Sequence, residues 1–417
     1  MITDFDTIII GAGAAGLFAA CNIEKGKTLI LEKNNTAGKK LLISGAGQCN
    51  YTHSGDSDDF INKYGENGSF LKPALYNFKN VDAIDFFKLS GVESIIREDG
   101  KVFPESLKSA DILNSLIKKC KLNNIEIKYN SPVKSISYNH ELKQFTVKTN
   151  SEKFTSKNVL ISTGGSSYPN TGSNGDGFIL ASSLGHNIVN TLPCLSPVNV
   201  KNYSFSDLSG ISFSDIRISL WRNNRKIKET SGDVLLTHKN LSGPGILNFS
   251  RYIEKDDNLK LNFIGIREDE LSGLIDTKTR ENGKQVLKSI FKEMNISKRF
   301  IEKTFEINSI SEDTICSQLN KKDKSNLIKS LCEHSFEVES LEGYHLAMAT
   351  RGGVALDEVN RKTMQSKIIS GLYLAGEVLN IDGDTGGYNI QAAFSTAALA
   401  AKDINRNLSY NRGITDV

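Results

Sequence analysis

The sequence lacks the features that mark a membrane, secreted or strongly nucleic-acid-binding protein. Its most apolar stretch, residues 7–21, is interrupted by glycines and is shorter than the roughly 20 apolar residues that cross a bilayer. The opening residues MITDFD are acidic where a secretory signal would be basic, so we expect a cytoplasmic protein. The 51 basic and 48 acidic residues give a net charge of +3, which predicts neither a nucleic acid nor a membrane as the main partner.

Clustered cysteines are also missing. The six cysteines are far apart, with no CxxC pair and no neighbouring histidine cluster. In a long chain without a secretory signal, such cysteines are expected to be reduced thiols rather than a disulfide framework or a metal site. Cys49 has no second cysteine nearby, which argues against a disulfide reductase. We therefore predict no metal and no redox disulfide.

The 417 residues divide by pattern into two kinds of region. Residues 1–192 and 345–417 alternate apolar strands with helices, which is typical of a doubly wound α/β domain. Residues 193–266 with 335–344 are rich in strand patterns, and residues 267–334 carry helical patterns with mixed charge. We predict an α/β fold in which both ends of the chain form one Rossmann-like domain, interrupted by an inserted β-rich domain and a helical segment.

A nucleotide-binding turn opens the chain. The strand Thr7–Ile10 leads into Gly11-x-Gly13-x-x-Gly16, and a helix of small residues follows. Gly11 permits a tight turn, Gly13 lets a pyrophosphate approach the backbone, and Gly16 lets helix and strand pack closely. Glu32 ends the next strand, where it would accept hydrogen bonds from ribose hydroxyls. Because an acidic residue disfavours a 2′-phosphate, the motif predicts FAD or NAD rather than NADP.

A second glycine-rich loop, near the C-terminus, favours FAD. Leu372–Ala375 predicts a short buried strand, and the loop after it runs from Glu377 to Asn389, where a helix begins. The positive end of that helix dipole would suit the negative charge of a reduced flavin. The glycines of the loop would let backbone N–H groups approach a planar ring, and Glu377 and Asp384 would accept hydrogen bonds from ribityl hydroxyls.

Three further segments make the sequence recognisable. They are GKKLLISGAGQCN at 38–50, GGSSYP at 164–169 and THKNLSGP at 237–244. Together with the two loops they resemble the bacterial flavoprotein family that includes aminoacetone oxidase and the 3-dehydro-bile-acid Δ4,6-reductases. The resemblance extends from about residue 5 to residue 402 and implies a glutathione-reductase-like, FAD-binding Rossmann domain with an insertion.

The motifs and the resemblance together assign the FAD site. The assigned residues belong to the two glycine-rich loops, to the segment after Glu32 and to strand ends between them. They are Gly11, Gly13, Ala14, Ala15, Gly16, Glu32, Lys33, Gly38, Lys39, Ser44, Gly45, Asn50, Val133, Thr163, Gly164, Gly376, Glu377, Asp384, Gly387, Asn389 and Ile390.

Two positions depart from the family pattern, and both concern charge. The family usually has Arg where this chain has Gln48, and Arg where it has Lys101. Losing a guanidinium at 48 removes a planar, permanent cation. If that cation normally meets the substrate or the flavin, the substrate or the reduction potential of this protein will differ.

Tyr168 and His238 are the candidate catalytic residues. Tyr168 would line the flavin face, and His238 would act as an acid, a base or a substrate contact. Both also have a structural interpretation, Tyr168 in packing around Pro169 and His238 in the hydrogen bonding of a turn.

The residues predict an FAD-dependent oxidoreductase in which hydride passes through flavin N5. The sequence contains no second GxGxxG motif, so NAD(P)H would bind transiently or not at all. Two classes stay open: an NAD(P)H-dependent reductase of a conjugated enone-type small molecule, and an oxidase that passes hydride from an amine or aminoketone to O₂. A third hypothesis is a flavin-dependent RNA-binding or scaffold protein. The substrate and the oligomeric state are not determined by these patterns.

Overall fold

The computed structural model describes residues 2–294 and 296–413. The chain divides into two compact units. Unit 1 comprises Met1–Cys194 and Tyr344–Val417, and unit 2 comprises Leu195–Gly343. Both ends of the chain therefore belong to one unit, and the middle of the chain forms the other.

Strands and helices alternate along most of unit 1. The strands are β1 Ile2–Ile10, β2 Thr28–Leu31, β3 Thr52–His53, β4 Ser94–Ile96, β5 Lys101–Pro104, β6 Glu126–Lys128, β7 Ser135–Asn139, β8 Gln144–Lys148, β9 Lys153–Ile161, β10 Ile188–Cys194, β11 Val198–Val200, β12 Ser212–Arg222, β13 Arg225–Leu236, β14 Leu241–Ser242, β15 Asn258–Asn262, β16 His334–Leu341, β17 Ala349–Val354 and β18 Leu372–Leu374. The helices are α1 Ala14–Asn22, α2 Lys39–Ile43, α3 Ser57–Asn62, α4 Gly68–Asn77, α5 Asn80–Leu89, α6 Ser109–Leu122, α7 Asp176–Ser183, α8 Pro244–Phe249, α9 Glu268–Glu281, α10 Lys298–Ile307, α11 Lys321–Cys332 and α12 Tyr388–Gly413.

The central sheet of unit 1 is built on strands buried on both faces. β1 pairs in parallel with β2 on one side and with β9 on the other, and β6 extends the sheet beyond β2. Ile8 of β1 lies between Leu29 and Val159 in register, and all three side chains are fully buried. Because the connections from β1 leave in opposite directions, the carboxyl ends of β1 and β9 form the crevice in which open α/β sheets bind ligands.

Strand β9 is longer than its sequence pattern indicates. The pattern predicts separate strands at 154–155 and 159–163, whereas one strand runs from Lys153 to Ile161. The polar residues Ser156 and Asn158 stay in the strand because β1 pairs with its whole length. On its other edge, β9 pairs first with antiparallel β8 and then with parallel β18. The loops after β9 and β18 therefore start side by side.

Helix α12 completes the core of unit 1. Its residues Phe394 and Ala397 are fully buried, and the ring of Phe394 lies 4.7 Å from that of Phe18 in α1, centroid to centroid. The helix that follows the C-terminal loop thus packs on the helix that follows the first glycine loop. In the part of the chain that the structure describes, no helix has the length and apolarity needed to cross a membrane.

Unit 2 contains a closed barrel with the strand order β11-β14-β13-β12-β15-β16. Alternate residues of its strands face inward, so that Ile218, Leu220 and Leu259 are fully buried. Helices α10 and α11 add Phe300 and Leu327 to the same buried cluster. The helical segment and the barrel therefore share one hydrophobic core.

Candidate functional site

The glycine loop between β1 and α1 has the geometry that a pyrophosphate requires. Gly11 has a φ of 99°, which only glycine adopts without strain. A Cβ atom at Gly16 would lie 1.9 Å from the carbonyl oxygen of Gly11, so glycine is needed for α1 to pack here. A Cβ atom at Gly13 would meet nothing within 4 Å, which leaves open space at the start of α1. Ala14 and Ala15 form the first turn of α1, whose N–H groups have no acceptor within the helix.

Glu32 ties this loop to the end of β2. Its Oε2 atom accepts a hydrogen bond from the N–H of Ala12 at 2.8 Å, and its Oε1 atom accepts two from Asn34, both at 2.8 Å. The side chain is only 6% exposed. An ionised carboxylate offers about four acceptor positions, so Oε2 still has capacity for a ribose hydroxyl. Glu32 therefore holds the loop in shape as well as facing the predicted nucleotide.

The segment after β2 folds back onto the glycine loop. Gly38, with a φ of 67°, donates its N–H to the carbonyl oxygen of Ala12 at 2.9 Å, and Lys39 begins α2 directly after it. Lys33 lies at the same end of the sheet, but its Nζ atom pairs with the carboxylate of Asp176 at 2.6 Å. The charge of Lys33 is thus already engaged by the protein.

The loop after β18 is closed by its own hydrogen bonds. Asn389, in the first turn of α12, accepts from the N–H of Gly383 and donates to the carbonyl oxygen of Gly383, both at 2.8 Å. The N–H of Asp384 donates to the carbonyl oxygen of Lys63 at 2.9 Å. These bonds fix the loop in front of the α12 N-terminus. The other predicted residues lie on nearby strand ends, helix starts and loops of unit 1: Val133, Thr163, Gly164, Gly376 and Ile390.

A buried acceptor without a donor lies beside Gly387. Within the described residues, Asn50 Oδ1 is buried and has no hydrogen-bond partner. A Cβ atom at Gly387 would lie 2.5 Å from that oxygen and 2.4 Å from the carbonyl oxygen of Thr52. Glycine at 387 is therefore required by the protein's own packing, independently of any approach to a ring. A flavin pyrimidine ring carries an N–H of the kind that Asn50 lacks. This oxygen and the open space at Gly13 both fit the FAD that the sequence predicts.

Ser44 and Gly45 lie in a tight turn just before Asn50. Gly45 and Cys49 have φ values of 55° and 60°, and Ser44 accepts the N–H of Cys49 through its carbonyl oxygen at 2.9 Å. Burial raises the pKa of the Cys49 thiol to about 12. The thiol is therefore protonated at neutral pH, which does not suit a redox nucleophile.

A polar cluster that the sequence analysis missed joins three of the predicted flavin loops. Lys40 Nζ lies 2.6 Å from Glu377 Oε2 and also donates to Ser167 Oγ. Glu377 Oε1 accepts from Ser167 Oγ at 2.9 Å and from the N–H of Thr350 at 2.8 Å. The Glu377 carboxylate, predicted to bind ribityl hydroxyls, is thus also held by three protein groups. The position of Lys40 beside Lys39 was the signal available in the sequence, and nothing in the sequence marked Thr350.

The two candidate catalytic residues lie in different units. Tyr168, in unit 1, has a φ of 53° and a ψ of 60°, a left-handed conformation that is unusual for a tyrosine. Its N–H donates to the carbonyl oxygen of Tyr344 at 2.8 Å. Strained residues of this kind concentrate at functional sites. His238 lies in unit 2, exposed, in the turn between β13 and β14.

A guanidinium lies beside Gln48 after all. Arg97 donates from Nη2 to Gln48 Oε1 at 2.7 Å, and its guanidinium lies 4.0 Å from the ring centroid of Phe103. Lys101 pairs with Asp99 at 2.6 Å. The family pattern leads one to expect a missing cation at 48, but the fold brings Arg97 from the β4–β5 turn to that position.

A comparison with known protein families covers almost the whole chain. The model of the HI0933-like protein Rossmann domain matches residues 5–403. The chain belongs to the HI0933-like family. The resemblance and the Rossmann-type α/β fold predicted from the motifs are confirmed.

Curated relatives of this HI0933-like chain carry two kinds of name. The ribosomal RNA dihydrouridine synthases of Escherichia coli and Haemophilus influenzae are 29% and 30% identical to it, over 96% of this chain and 98% of each relative. The 3-dehydro-bile acid delta(4,6)-reductase of Clostridium scindens is 28% identical, over 94% of this chain and 97% of the relative.

Solved structures with the same fold are flavoenzymes. A flavocytochrome c3 fumarate reductase aligns with a TM-score of 0.52 at 15% identity, covering 97% of this chain and 79% of that chain. A 3-ketosteroid-delta4-(5alpha)-dehydrogenase from Rhodococcus jostii aligns with a TM-score of 0.50 at 13% identity, covering 96% and 97%. The HI0933-like chain thus has the Rossmann-type fold of flavoprotein oxidoreductases.

Proposed function

We propose that the protein is an FAD-dependent reductase of carbon–carbon double bonds conjugated to a carbonyl group, with NAD(P)H as the reductant. When bound, FAD supplies N5 as the atom that takes up and delivers hydride. The observation that carries the proposal is the chemistry shared by the names of relatives that match 94–96% of the chain. These names also favour a reductase over the amine or aminoketone oxidase.

The two reactions have the same reacting group. Forming dihydrouridine adds two hydrogens across the C5=C6 bond of uracil, which is conjugated to the C4 carbonyl. A delta(4,6)-reductase of a 3-dehydro bile acid acts on double bonds conjugated to the 3-oxo group. In both substrates the carbonyl draws electrons from the double bond, so that the carbon distal to it accepts hydride and the carbon next to it accepts a proton.

The residues of unit 1 supply binding and orientation for this chemistry. The first turn of α1 offers free N–H groups to a pyrophosphate, and Glu32 offers its remaining acceptor position to the ribose. The loop after β18 places the N-terminus of α12 at the same crevice, where its positive end stabilises negative charge. We assign Tyr168 as the residue that lines the flavin face and His238 as a substrate contact or proton donor.

A second candidate substrate is uridine in ribosomal RNA. Two relatives carry that activity in their names, at 29% and 30% identity. Counting residues 195–343, unit 2 has 23 basic and 22 acidic residues, so we expect little non-specific attraction to RNA. The absence of a nucleic-acid partner stays a prediction, and RNA enters the experiment as a competing substrate.

The test is anaerobic reduction followed by substrate-dependent reoxidation. Protein reconstituted with FAD is reduced with NADH or NADPH under the visible flavin absorbance, and a 3-oxo-Δ4 steroid, a ribosomal RNA transcript or buffer alone is then added. Reoxidation by the steroid, with saturation of its double bond, supports the proposal. Reoxidation by the transcript alone assigns the second substrate. Reduction by an amine but not by nicotinamides, with reoxidation by O₂ only, would identify an oxidase and reject both.

A further inference from the structure

Lys40 occupies a special position among the loops assigned to FAD. It follows Gly38, which contacts the first glycine loop through Ala12. Its two partners, Ser167 and Glu377, follow the glycines at the ends of β9 and β18. The lysine side chain therefore lies where three flavin-assigned segments converge, at the carboxyl ends of the parallel strands.

The hydrogen bonding leaves one donor of this lysine available. An ammonium group has three N–H donors, and two of them bind Glu377 Oε2 and Ser167 Oγ. Among the described residues the third donor has no partner. The side chain is 28% exposed, so its ammonium group is accessible from the crevice.

The carboxylate of Glu377 is turned away from a purely ligand-binding role. Both of its oxygens are engaged, Oε1 by Ser167 and by the N–H of Thr350, and Oε2 by Lys40. The Oγ1 atom of Thr350 accepts the N–H of Ser166 at 2.8 Å, which fixes the loop that carries Ser167. This arrangement orients the ammonium group, because the two acceptors that hold it are themselves held by the backbone.

We propose that Lys40 is a cation of the flavin site that stabilises the negative charge of the reduced ring, and that Glu377 and Ser167 are the residues that position it. This inference rests on FAD binding in the proposed function. The reduction that it favours is balanced: the nicotinamide gives up a hydride and becomes oxidised, and the ring gains two electrons and one proton, hence one negative charge. A cation nearby makes that charge more stable in a site with little water.

The proposal predicts opposite shifts from two substitutions in one ion pair. Lys40→Met removes the cation, so the midpoint potential should fall; a tenfold change in the two-electron equilibrium corresponds to about 30 mV. Glu377→Gln keeps the lysine and removes its counter-charge, so the potential should rise. Lys40→Arg should stay close to the parent protein. A role in folding alone would move neither potential in a signed way.

A matched control exists in unit 2. Lys288 has a side chain that is 29% exposed and pairs with Glu312 at 2.6 Å, the same exposure and distance as for Lys40 and Glu377. Lys288→Met should leave the potential unchanged. The experiment measures the midpoint potential of FAD-loaded protein by equilibration with redox dyes, and the affinity of the oxidised flavin for sulfite, which falls when a nearby cation is lost.

The outcomes separate this inference from the proposed function. A parent protein that binds no FAD overturns the proposed function itself. A Lys40→Met protein with full FAD content and unchanged potential and sulfite affinity overturns the role of Lys40. If Lys40→Met does not retain FAD, Glu377→Gln decides: a raised potential supports the proposal, and a lowered or unchanged one rejects it.

Discussion

Unit 1 and unit 2 encode their structures in different ways. In unit 1 the candidate site depends on backbone geometry, since a Cβ atom at Gly11, Gly16 or Gly387 would lie within 3 Å of a backbone oxygen. In unit 2 the core depends on side-chain packing, with Phe300 at 4.8 Å from the rings of both Phe213 and Phe263. A position that excludes every side chain is written in the sequence as a motif, whereas an apolar core accepts many residues of similar volume. This is why unit 1 is recognisable from its sequence and unit 2 is not.

The largest effect expected from a single substitution is in the aromatic core of unit 2. Phe300 is fully buried, so Phe300→Ala should lower the free energy of unfolding by about 3–5 kcal/mol. Denaturant unfolding followed by circular dichroism measures the loss, and Phe300→Leu should show a smaller one. The flavin spectrum should persist at denaturant concentrations where unit 2 has unfolded. Simultaneous loss of both signals would contradict the contrast between the two units.

The next largest effect is a pH dependence that originates in unit 2. Burial lowers the pKa of His334 to about 4 from its usual 6.5, and its ring lies 4.5 Å from that of Phe336. The unfolded chain therefore binds a proton that the folded chain excludes between these two pH values. Stability is fully present above pH 6.5 and should decline as the pH falls towards 4, by at most about 3 kcal/mol.

His334→Phe tests that assignment because it keeps an aromatic ring and removes the titrating group. The unfolding free energy of the variant, measured between pH 7 and pH 4, should fall less steeply than that of the parent. Substitution of the exposed His140 by Gln should leave the slope unaltered. Equal slopes for all three proteins would show that His334 is not the source.

A pair of glycine substitutions compares the two units directly. In Gly16→Ala the new Cβ would lie 1.9 Å from the Gly11 carbonyl oxygen, so we expect a loss of about 1–3 kcal/mol and of most bound FAD. Gly273 lies in α9 of unit 2, where a Cβ would meet nothing within 4 Å. Gly273→Ala should instead stabilise the protein by about 0.5–1 kcal/mol. FAD content and melting temperature report both, and a Gly16→Ala protein with full FAD would invalidate the loop assignment.

The smallest expected effect concerns the guanidinium at Gln48. Because Arg97 is exposed and donates to Gln48 at 2.7 Å, Arg97→Ala should leave stability and FAD content nearly unchanged. If the guanidinium meets the substrate, its KM should rise several-fold. The exchange variant Arg97→Gln with Gln48→Arg should restore the parent KM. A KM unchanged in both variants would limit Arg97 to a surface contact.

Much of unit 1 could be predicted from sequence because its determinants are local. Apolar β-branched residues before Gly11 predict a buried strand, and the glycine spacing predicts the turn and the start of α1. The C-terminal helix near Asn389 was predicted on the same grounds. The barrel of unit 2 was predicted only as a β-rich region, because an alternating pattern gives the strand but not its partner. Its closure and its shared core with the helices depend on pairings that no period in the sequence reports.

The sequence by itself determined the nucleotide-binding loop, since a positive φ or the absence of a Cβ is a property of glycine that needs no partner. Only the tertiary structure decided which charges meet. Lys40 and Glu377 are separated by 337 positions, and Gln48 and Arg97 by 49. Such contacts depend on where the sheet brings the ends of β9 and β18 and the β4–β5 turn, and a charge exerts its effect through distance and burial rather than through sequence spacing.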